Sequence, residues 1–196
     1  MEKLNRRDVV QELLRERGDL IVIAGLGASA WDLAACGNEP LDFPLWGAMG
    51  SAAMLGLGLA LAQPERKVLV ITGDGEMLMG LGGLATIGTQ RPDNLCIIVL
   101  DNECFSETGR QQTHTGMGVD LASVAAACGF QNVRTVTQRD DLANLRQDIH
   151  ASQELLLAVI KISAGELPRV LPPRDGPYLT QRMRAALLGK ERALDG

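Results

Sequence analysis

The sequence predicts a single α/β domain in which helices cover both faces of a mainly parallel sheet of about six strands. Short apolar runs rich in β-branched residues recur along the chain, and helical stretches separate them. A chain of 196 residues is long enough to bury one substantial core and too short for two domains of ordinary size. Strands that alternate with helices favour right-handed βαβ units, and therefore a three-layer domain.

The predicted elements follow one another along the chain in a regular order. The first helix covers residues 6–17, where apolar side chains recur at helical spacing before Gly18. DFPLWG, at 42–47, is predicted to form the second strand. Continuous apolar runs predict strands at 20–25, 68–73, 95–102 and 155–162, with a weaker one at 132–136. The helices between them are predicted at 49–63, 77–90, 121–129 and 140–150.

The alternating pattern ends after residue 163. The following segment, ELPRVLPPRDGPY, carries prolines that exclude it from a central strand. An amphipathic helix is predicted over residues 180–194. We therefore divide the chain into a main domain, residues 1–163, and a C-terminal extension, residues 164–196.

Composition excludes several classes of protein. A formal net charge of -5 and a pI near 5.1 argue against a nucleic-acid surface, which needs a basic patch. The N-terminus lacks the apolar centre of a signal peptide, and no uncharged apolar run approaches the length of a membrane span, so we expect a cytoplasmic protein. The four cysteines include no CxxC pair, which favours reduced thiols over a zinc site or a disulfide framework.

Polar residues follow two apolar strands that a single helical crossover connects. Gly73, Asp74 and Gly75 end one strand, and Asn102 ends the next. Because parallel strands joined in this way end at the same edge of a sheet, Asp74 and Asn102 are expected to lie close together. A carboxylate and an amide oxygen are ligands that Mg²⁺ accepts together with phosphate oxygens. Gly75 leaves backbone amides open to a diphosphate at the start of the next helix.

The segment GDGEMLMGLGGLATIGTQRPDNLCIIVLDN resembles the signature of thiamine-diphosphate-dependent enzymes, in which asparagine follows GDG some 26 residues later. WGAMGSAAMLGLGLA, at 46–60, is similar to the GxMG segment of that family. DNECFSETGRQQT resembles the loop of sulfopyruvate and phosphonopyruvate decarboxylases. The likeness covers roughly residues 5–160 and is strongest to the separate β subunit of sulfopyruvate decarboxylase. It implies the thiamine-diphosphate-binding fold.

This resemblance implies a set of site residues. Asp74, the Asn102 side chain and the Cys104 carbonyl would bind Mg²⁺, and the amides of Gly75 and Glu76 would contact the diphosphate. Met49 would support the bent conformation of the cofactor and act in catalysis. The full set of cofactor-binding positions is Gly47, Ala48, Met49, Gly73, Asp74, Gly75, Glu76, Asn102, Cys104, Phe105 and Ser106.

The loop after Asn102 departs from the family pattern where a substrate would be recognised. Glu107, Arg110 and Gln112 replace a serine, a glycine and a proline of that pattern. Arg110, with Gln111, is a candidate for holding an acidic substrate group, although Glu107 could equally neutralise it. His114 is a candidate for substrate binding or proton delivery.

The resemblance further implies the diphosphate-binding subunit of a two-subunit carboxy-lyase. Such an enzyme decarboxylates an acidic 2-oxo acid, of the sulfopyruvate or phosphonopyruvate type, to an aldehyde without oxidation. The activating glutamate of the family lies on a pyrimidine-binding domain, and we expect a partner subunit to supply it within a hetero-oligomer, α2β2 or larger.

Three alternatives remain open from the sequence. The same half-enzyme could serve a carboligase similar to acetolactate synthases, or the chain could be a non-catalytic scaffold or regulatory subunit. GLGASA, after the first strand, also satisfies the dinucleotide fingerprint GxGxxA through Gly25, Gly27 and Ala30. That fingerprint requires an acidic residue at the end of the second strand, whereas DFPLWG ends in tryptophan and glycine.

Overall fold

The computed structural model describes residues 3–194 and contains a central sheet of six strands, all paired in parallel. A two-stranded antiparallel hairpin forms a separate, smaller sheet. In chain order the strands are β1 (Ile21–Ala24), β2 (Asp42–Pro44), β3 (Val68–Gly73), β4 (Leu95–Asp101), β5 (Cys104–Phe105), β6 (Gln111–Gln112), β7 (Asn132–Val136) and β8 (Leu156–Lys161).

Helices lie on both faces of the sheet and give the molecule three layers. One buried cluster packs the first, second and seventh helices against one face of the sheet. A second cluster packs the third, fourth, fifth, sixth and eighth helices against the other face. The helices are α1 (Arg6–Leu13), α2 (Ala28–Ala35), α3 (Ala52–Ala62), α4 (Asp74–Met79), α5 (Gly83–Gln90), α6 (Leu121–Ala127), α7 (Asp141–Ala151) and α8 (Gly176–Leu188).

The order of the six strands is β2-β1-β3-β4-β8-β7. Strands β1, β3, β4 and β8 are buried along almost their whole length, as their continuous apolar sequences predict. The predicted class, an α/β domain with a parallel sheet of about six strands covered by helices, is confirmed. Neighbouring strands β3 and β4 bring their carboxyl ends to one edge of the sheet.

The prediction of one helix over 77–90 is wrong. Two helices occupy this region, α4 from Asp74 and α5 from Gly83, with a turn through Gly80 and Gly82 between them. A Cβ atom at position 80 would lie 2.3 Å from the carbonyl oxygen of Gly50, so the chain turns where two backbone segments touch. Several glycines in sequence also weaken a continuous helix.

Other boundaries differ from prediction by a few residues. The helix predicted at 49–63 begins at Ala52, and the segment predicted at 42–47 is a strand only over Asp42–Pro44. The helix predicted over 6–17 ends at Leu13.

The terminal helix begins earlier than predicted and ends earlier. It spans Gly176–Leu188, and a short 3-10 turn at Arg192–Leu194 follows. The Asp175 side chain accepts a hydrogen bond from the Tyr178 amide, which fixes the start of the helix.

Helix α8 packs on the same sheet as the preceding helices. Leu179 and Met183 are buried, and the Arg182 side chain donates a hydrogen bond to the Asp42 carbonyl of β2. The division at residue 163 remains a prediction, and positions 1, 2, 195 and 196 of the two proposed units lie outside the described residues.

Candidate functional site

The register between β3 and β4 places two polar segments side by side. Gly73 of β3 pairs with Leu100 of β4, so Asp74 leaves its strand beside Asp101 and Asn102. Asp74 is also the first residue of α4, where backbone amides are free. The strand ends therefore bring Asp74 and Asn102 to the rim of one cavity.

The Asp74 carboxylate is buried and receives hydrogen bonds from the loop that follows β6. Thr113 donates to its Oδ2 atom at 2.5 Å, and Thr115 does so at 3.2 Å. Thr115 also lies 2.8 Å from Asp101, which pairs with Lys161 at 2.7 Å. Burial raises the pKa of Asp74 above its usual range, and the hydrogen bond from Thr113 opposes that shift. Two threonines thus fix the orientation of the carboxylate.

Asn102 shapes the loop that leads into the hairpin. Its Oδ1 atom accepts a hydrogen bond of 3.0 Å from the Cys104 amide, and its Nδ2 atom donates to the Ser106 hydroxyl at 2.9 Å. The Thr113 amide donates to the Glu103 carbonyl, so the pair formed by Cys104 and Gln112 is of the non-hydrogen-bonded kind. The backbone carbonyl of Cys104 therefore points away from the opposite strand.

These residues line a cavity of about 160 Å³ at the carboxyl edge of the sheet. A Cβ atom at Gly75 would lie 2.6 Å from the Phe105 ring, which explains the glycine there. The residues around the cavity come from the ends of β1, β3, β4 and β8, from the first residues of α1, α2 and α4, from the segment before α3 and from the loop after β4: Arg6, Leu26, Ala28, Ser29, Met49, Gly73, Asp74, Gly75, Glu76, Leu100, Asn102, Cys104, Phe105, Ser106, Glu107, Thr108 and Ile162.

The Glu76 side chain is buried and connects three segments of the site. Its carboxylate accepts hydrogen bonds from the Thr72 hydroxyl at 2.8 Å and from the Ala52 amide at 3.4 Å. The amides of Leu26 and Gly50 also donate to it. Burial raises the pKa of Glu76, and these donors oppose the shift. The sequence assigned only the amide of this residue to the site, so the role of its side chain was missed.

The turn that carries GxGxxA is shaped by the same glutamate. A Cβ atom at Gly25 would lie 1.6 Å from Glu76 Oε2, so the carboxylate fills the space that the glycine leaves. In a dinucleotide site that space admits a pyrophosphate. A carboxylate in this position argues against the dinucleotide interpretation, and the turn instead contributes Leu26, Ala28 and Ser29 to the edge of the cavity.

Several predicted residues lie away from this cavity. His114 is exposed at the start of a short 3-10 helix, His114–Met117, and Gln111 is exposed in β6, where it contacts Thr108. The Arg110 guanidinium donates to the Ala164 carbonyl at 2.8 Å and lies 3.7 Å from Glu166, so it pairs with neither Glu107 nor a cavity group.

Of the three predicted residues Gly47, Ala48 and Met49, only Met49 lines the cavity. Gly47 and Ala48 precede the cavity-lining Met49, whose side chain is 37% exposed, and they do not line the cavity themselves. Their proposed contacts, like the roles of His114, Arg110 and Gln111, stay predictions.

The residues that sequence reasoning missed are those that the tertiary fold brings in from a distance. Thr113 and Thr115 contact Asp74 although about 40 positions separate them from it in the chain. Arg6 comes from the first helix and lines the cavity. A single arginine carries no pattern of its own, whereas Thr113 ends the loop motif DNECFSETGRQQT, which is the one sequence signal that pointed to this segment.

Two general properties bear on the site. Within residues 3–194, no helix combines the length and the apolar character needed to cross a membrane. No three His, Cys, Asp or Glu side chains in that part of the chain are grouped to hold a metal ion. The predicted Mg²⁺ ligands are of another kind, because they combine one carboxylate with an amide oxygen and a backbone carbonyl.

Comparison with known protein families bears directly on this geometry. Residues 26–160 match the family model described as thiamine pyrophosphate enzyme, C-terminal TPP binding domain. The chain belongs to the thiamine pyrophosphate enzyme family. The matched region of this thiamine pyrophosphate domain extends from the turn after β1 to β8 and includes Asp74, Asn102 and the hairpin.

Several curated relatives of this thiamine pyrophosphate domain are decarboxylases by name. Phosphonopyruvate decarboxylase of Streptomyces viridochromogenes is 40% identical over 168 residues, which are 85% of this chain and 42% of that protein. Sulfopyruvate decarboxylase subunit beta of Methanothermobacter thermautotrophicus is 42% identical over 131 residues, which are 67% of this chain and 70% of the subunit. The chain thus spans less than half of the first relative and most of the second.

Solved structures show the same fold at lower identity. A putative thiamin diphosphate-dependent enzyme from Mycobacterium smegmatis matches with a TM-score of 0.69 and 22% identity, over 83% of this chain and 32% of that one. Benzoylformate decarboxylase from Polynucleobacter necessarius matches with a TM-score of 0.68 and 20% identity, over 84% of this chain and 34% of that one. These likenesses confirm the fold of the thiamine pyrophosphate domain.

Proposed function

We propose that this chain is the diphosphate-binding subunit of a two-subunit decarboxylase that acts on a small acidic 2-oxo acid. The observation that carries the proposal is the meeting of Asp74 and Asn102 at one cavity. The family fixes the class of cofactor, and the names of the relatives indicate the class of substrate. The product would be an aldehyde, formed without oxidation.

The residues of the cavity fit Mg²⁺ and a diphosphate. Asp74 supplies a carboxylate, Asn102 an amide oxygen and Cys104 a backbone carbonyl, all of them hard oxygen ligands. Asp74 is oriented in advance by Thr113, which lowers the cost of ordering it when an ion binds. Gly75 and Glu76, in the first turn of α4, line the same cavity, and in this proposal their amides would bind anionic oxygens.

When bound, thiamine diphosphate supplies the carbanion chemistry of decarboxylation, and the protein contributes binding, orientation and exclusion of water. In this proposal, Met49 would contact the bound cofactor and support its bent conformation, since this residue lines the cavity. Glu76 holds the backbone that directly follows that methionine, through the amides of Gly50 and Ala52. A fixed Met49 backbone would preserve the conformation of the cofactor.

A partner subunit would cover the side of the cavity where Met49 is exposed. Large apolar side chains remain exposed nearby: Met79 lies next to Gly50, where a Cβ atom would be 3.1 Å from it, and Met54 is also exposed. Exposed apolar groups in one region are typical of surfaces that bind another protein. We propose that the partner carries the pyrimidine-binding domain and its activating glutamate, in a hetero-oligomer. Naming of the relative as a β subunit supports this arrangement.

The proposal is tested with Asp74→Ala in the complex of this chain with its partner. Calorimetry should show that Mg²⁺-dependent binding of thiamine diphosphate is lost, because the carboxylate ligand is removed. Asp93→Ala is the matched control, since Asp93 is exposed and precedes β4, at the edge of the sheet opposite the cavity. Equal affinity of wild type and Asp74→Ala would reject the proposal.

Product analysis tests the reaction. Incubation with sulfopyruvate, phosphonopyruvate or pyruvate should release the corresponding aldehyde and carbon dioxide. A coupled hydroxyketone would instead identify a carboligase. Full turnover by the isolated chain would contradict the need for a partner.

A further inference from the structure

Arg6 reaches the carboxyl edge of the sheet through the segment that precedes α1. Leu4 forms a parallel bridge with Ile162, and the Ser163 amide donates to the Leu4 carbonyl at 2.8 Å. Asn5 then caps the helix, so Arg6 becomes its first residue. The N-terminal segment is thereby fixed beside the end of β8, and the Arg6 side chain lies at the cavity together with Ile162.

Two arginines share one buried carboxylate at this position. Arg6 Nη1 lies 3.3 Å from Asp32 Oδ2, and Arg7 Nε donates to Asp32 Oδ1 at 3.0 Å. Asp32 is fully buried, and the Arg6 side chain is only 6% exposed. One carboxylate balances one of two guanidinium groups, so a positive charge remains uncompensated within this trio.

The Arg6 guanidinium also has unused donors. Among residues 3–194, neither its Nε nor its Nη1 makes a hydrogen bond, although both atoms are buried and Nη1 lies within ion-pair distance of Asp32. Burial lowers the pKa of Arg6, which reflects the cost of holding this cation away from water. A buried donor without an acceptor is unfavourable, and a ligand oxygen would remove that cost.

The surroundings of Arg6 suit an oxyanion. Arg6 lines the main cavity beside Ala28 and Ser29, which lie in the first turn of the eight-residue helix α2. Gly27 precedes that turn and offers no side-chain cap, so the amides of the first turn donate to no capping side chain. The Glu107 carboxylate lies beside Gly27, where a Cβ atom would be 3.0 Å from its Oε1, and a bound oxyanion would have to displace it. A second cavity of about 60 Å³ shares Arg6, Ala28 and Asn102 with the first.

We propose that Arg6 donates hydrogen bonds to the terminal phosphate of bound thiamine diphosphate, next to the first turn of α2. This inference rests on the proposed function. The planar guanidinium presents a fork of donors that matches phosphate oxygens, which a lysine would lack. Arg110 is less suited to this role, because its guanidinium is bound to Ala164 and Glu166. An acidic group of the substrate has the same oxyanion chemistry, and the experiment separates the two.

The experiment compares Arg6→Gln with Arg7→Gln in the complex with the partner subunit. Both substitutions remove one partner of Asp32, but only Arg6 lines the cavity. Calorimetry measures binding of thiamine diphosphate and, separately, of inorganic pyrophosphate, each with Mg²⁺. Arg6→Gln should weaken both affinities by about ten- to a hundredfold, as expected for a lost charge-assisted hydrogen bond. Arg7→Gln should change them by no more than about threefold.

The outcomes separate this inference from the proposed function. Wild-type affinity of Arg6→Gln for both ligands would overturn the inference while the function stands. If Arg6→Gln instead raised only the KM for a dianionic 2-oxo acid, the oxyanion would belong to the substrate and the inference would fail.

Two further results cover the remaining cases. If the wild type bound pyrophosphate but not thiamine diphosphate, the proposed function would fail and the pyrophosphate comparison would still decide the role of Arg6. If Arg6→Gln did not fold, Arg6→Lys, which keeps a positive charge near Asp32, should lose about three- to tenfold in affinity. Unchanged affinity of Arg6→Lys would then overturn the inference.

Discussion

The Thr113 hydroxyl donates a hydrogen bond of 2.5 Å to Asp74 Oδ2, and so joins residues 39 positions apart in the chain. Both groups are buried. The bond connects the loop after the hairpin to the proposed metal ligand, and it orients the carboxylate before an ion arrives.

Thr113→Val should weaken Mg²⁺-dependent cofactor binding by about tenfold and lower the free energy of unfolding by about 1–3 kcal/mol. The substitution keeps the shape of the side chain and removes the only donor that it offers to Asp74. Calorimetry and urea unfolding measure the two effects. Thr89→Val, whose exposed hydroxyl bonds only to the Ala85 carbonyl of its own helix, is the control. Similar behaviour of the two variants would contradict the orienting role of Thr113.

Glu76→Gln should lower the free energy of unfolding by about 2–3 kcal/mol. The carboxylate accepts several buried donors, whereas an amide presents its own NH₂ group to some of them. Cofactor affinity should fall as well, because the backbone around Met49 loses its support. Glu65→Gln, at an exposed position, should stay within about 0.5 kcal/mol of the wild type in the same denaturant titration. A stable Glu76→Gln protein with normal affinity would show that the network is dispensable.

Two glycines of α3 should respond in opposite directions to alanine. A Cβ atom at Gly56 would lie 2.3 Å from Val70 Cγ2, whereas a Cβ atom at Gly58 meets nothing within 4 Å. Gly56→Ala should therefore destabilise the fold by about 1–3 kcal/mol, the usual cost of overpacking. Gly58→Ala should stabilise it by up to about 1 kcal/mol through helix propensity. Thermal unfolding measures the change in Tm of each variant. Changes in Tm of the same sign for both variants would refute the packing argument.

Two thiols should react slowly in the folded protein at pH 8. Burial raises the pKa of Cys36 to about 11 and that of Cys96 to about 12. Because the thiolate is the reactive form, a thiol with a pKa near 11 is ionised in only about one molecule in a thousand at pH 8. Reaction with a disulfide reagent should accelerate as pH rises toward 11, and denaturant should release both groups at once. Rapid labelling of Cys36 in the native state, tested against Cys36→Ser, would contradict this.

The sequence was sufficient to predict the strands because their signal is local. The runs VLVI and LCIIVL are apolar at every position, as expected of strands that are covered on both faces. The break between α4 and α5 was missed because it depends on contact between Gly80 and the distant Gly50. Glycines lower helix propensity throughout this stretch, so propensity alone does not show at which residue the helix breaks.

The candidate site shows the same division. Asp74 and Asn102 were predictable because strand order and the GDG spacing place them together. Thr115 and Arg6 were not, and neither was the bond from Thr113 to Asp74, because these contacts depend on a loop and a helix that pack from far along the chain.

By itself, the sequence determined the α/β class, the parallel strands and the pair of polar groups at their ends. Each of these follows from periodicity or from spacing within one βαβ unit, which short-range geometry fixes. The tertiary structure alone decided that Glu76 turns its carboxylate inward, that two threonines hold Asp74, and that Arg6 reaches the cavity with unused donors. These contacts arise between segments distant in sequence, and their energies depend on burial that no local pattern records.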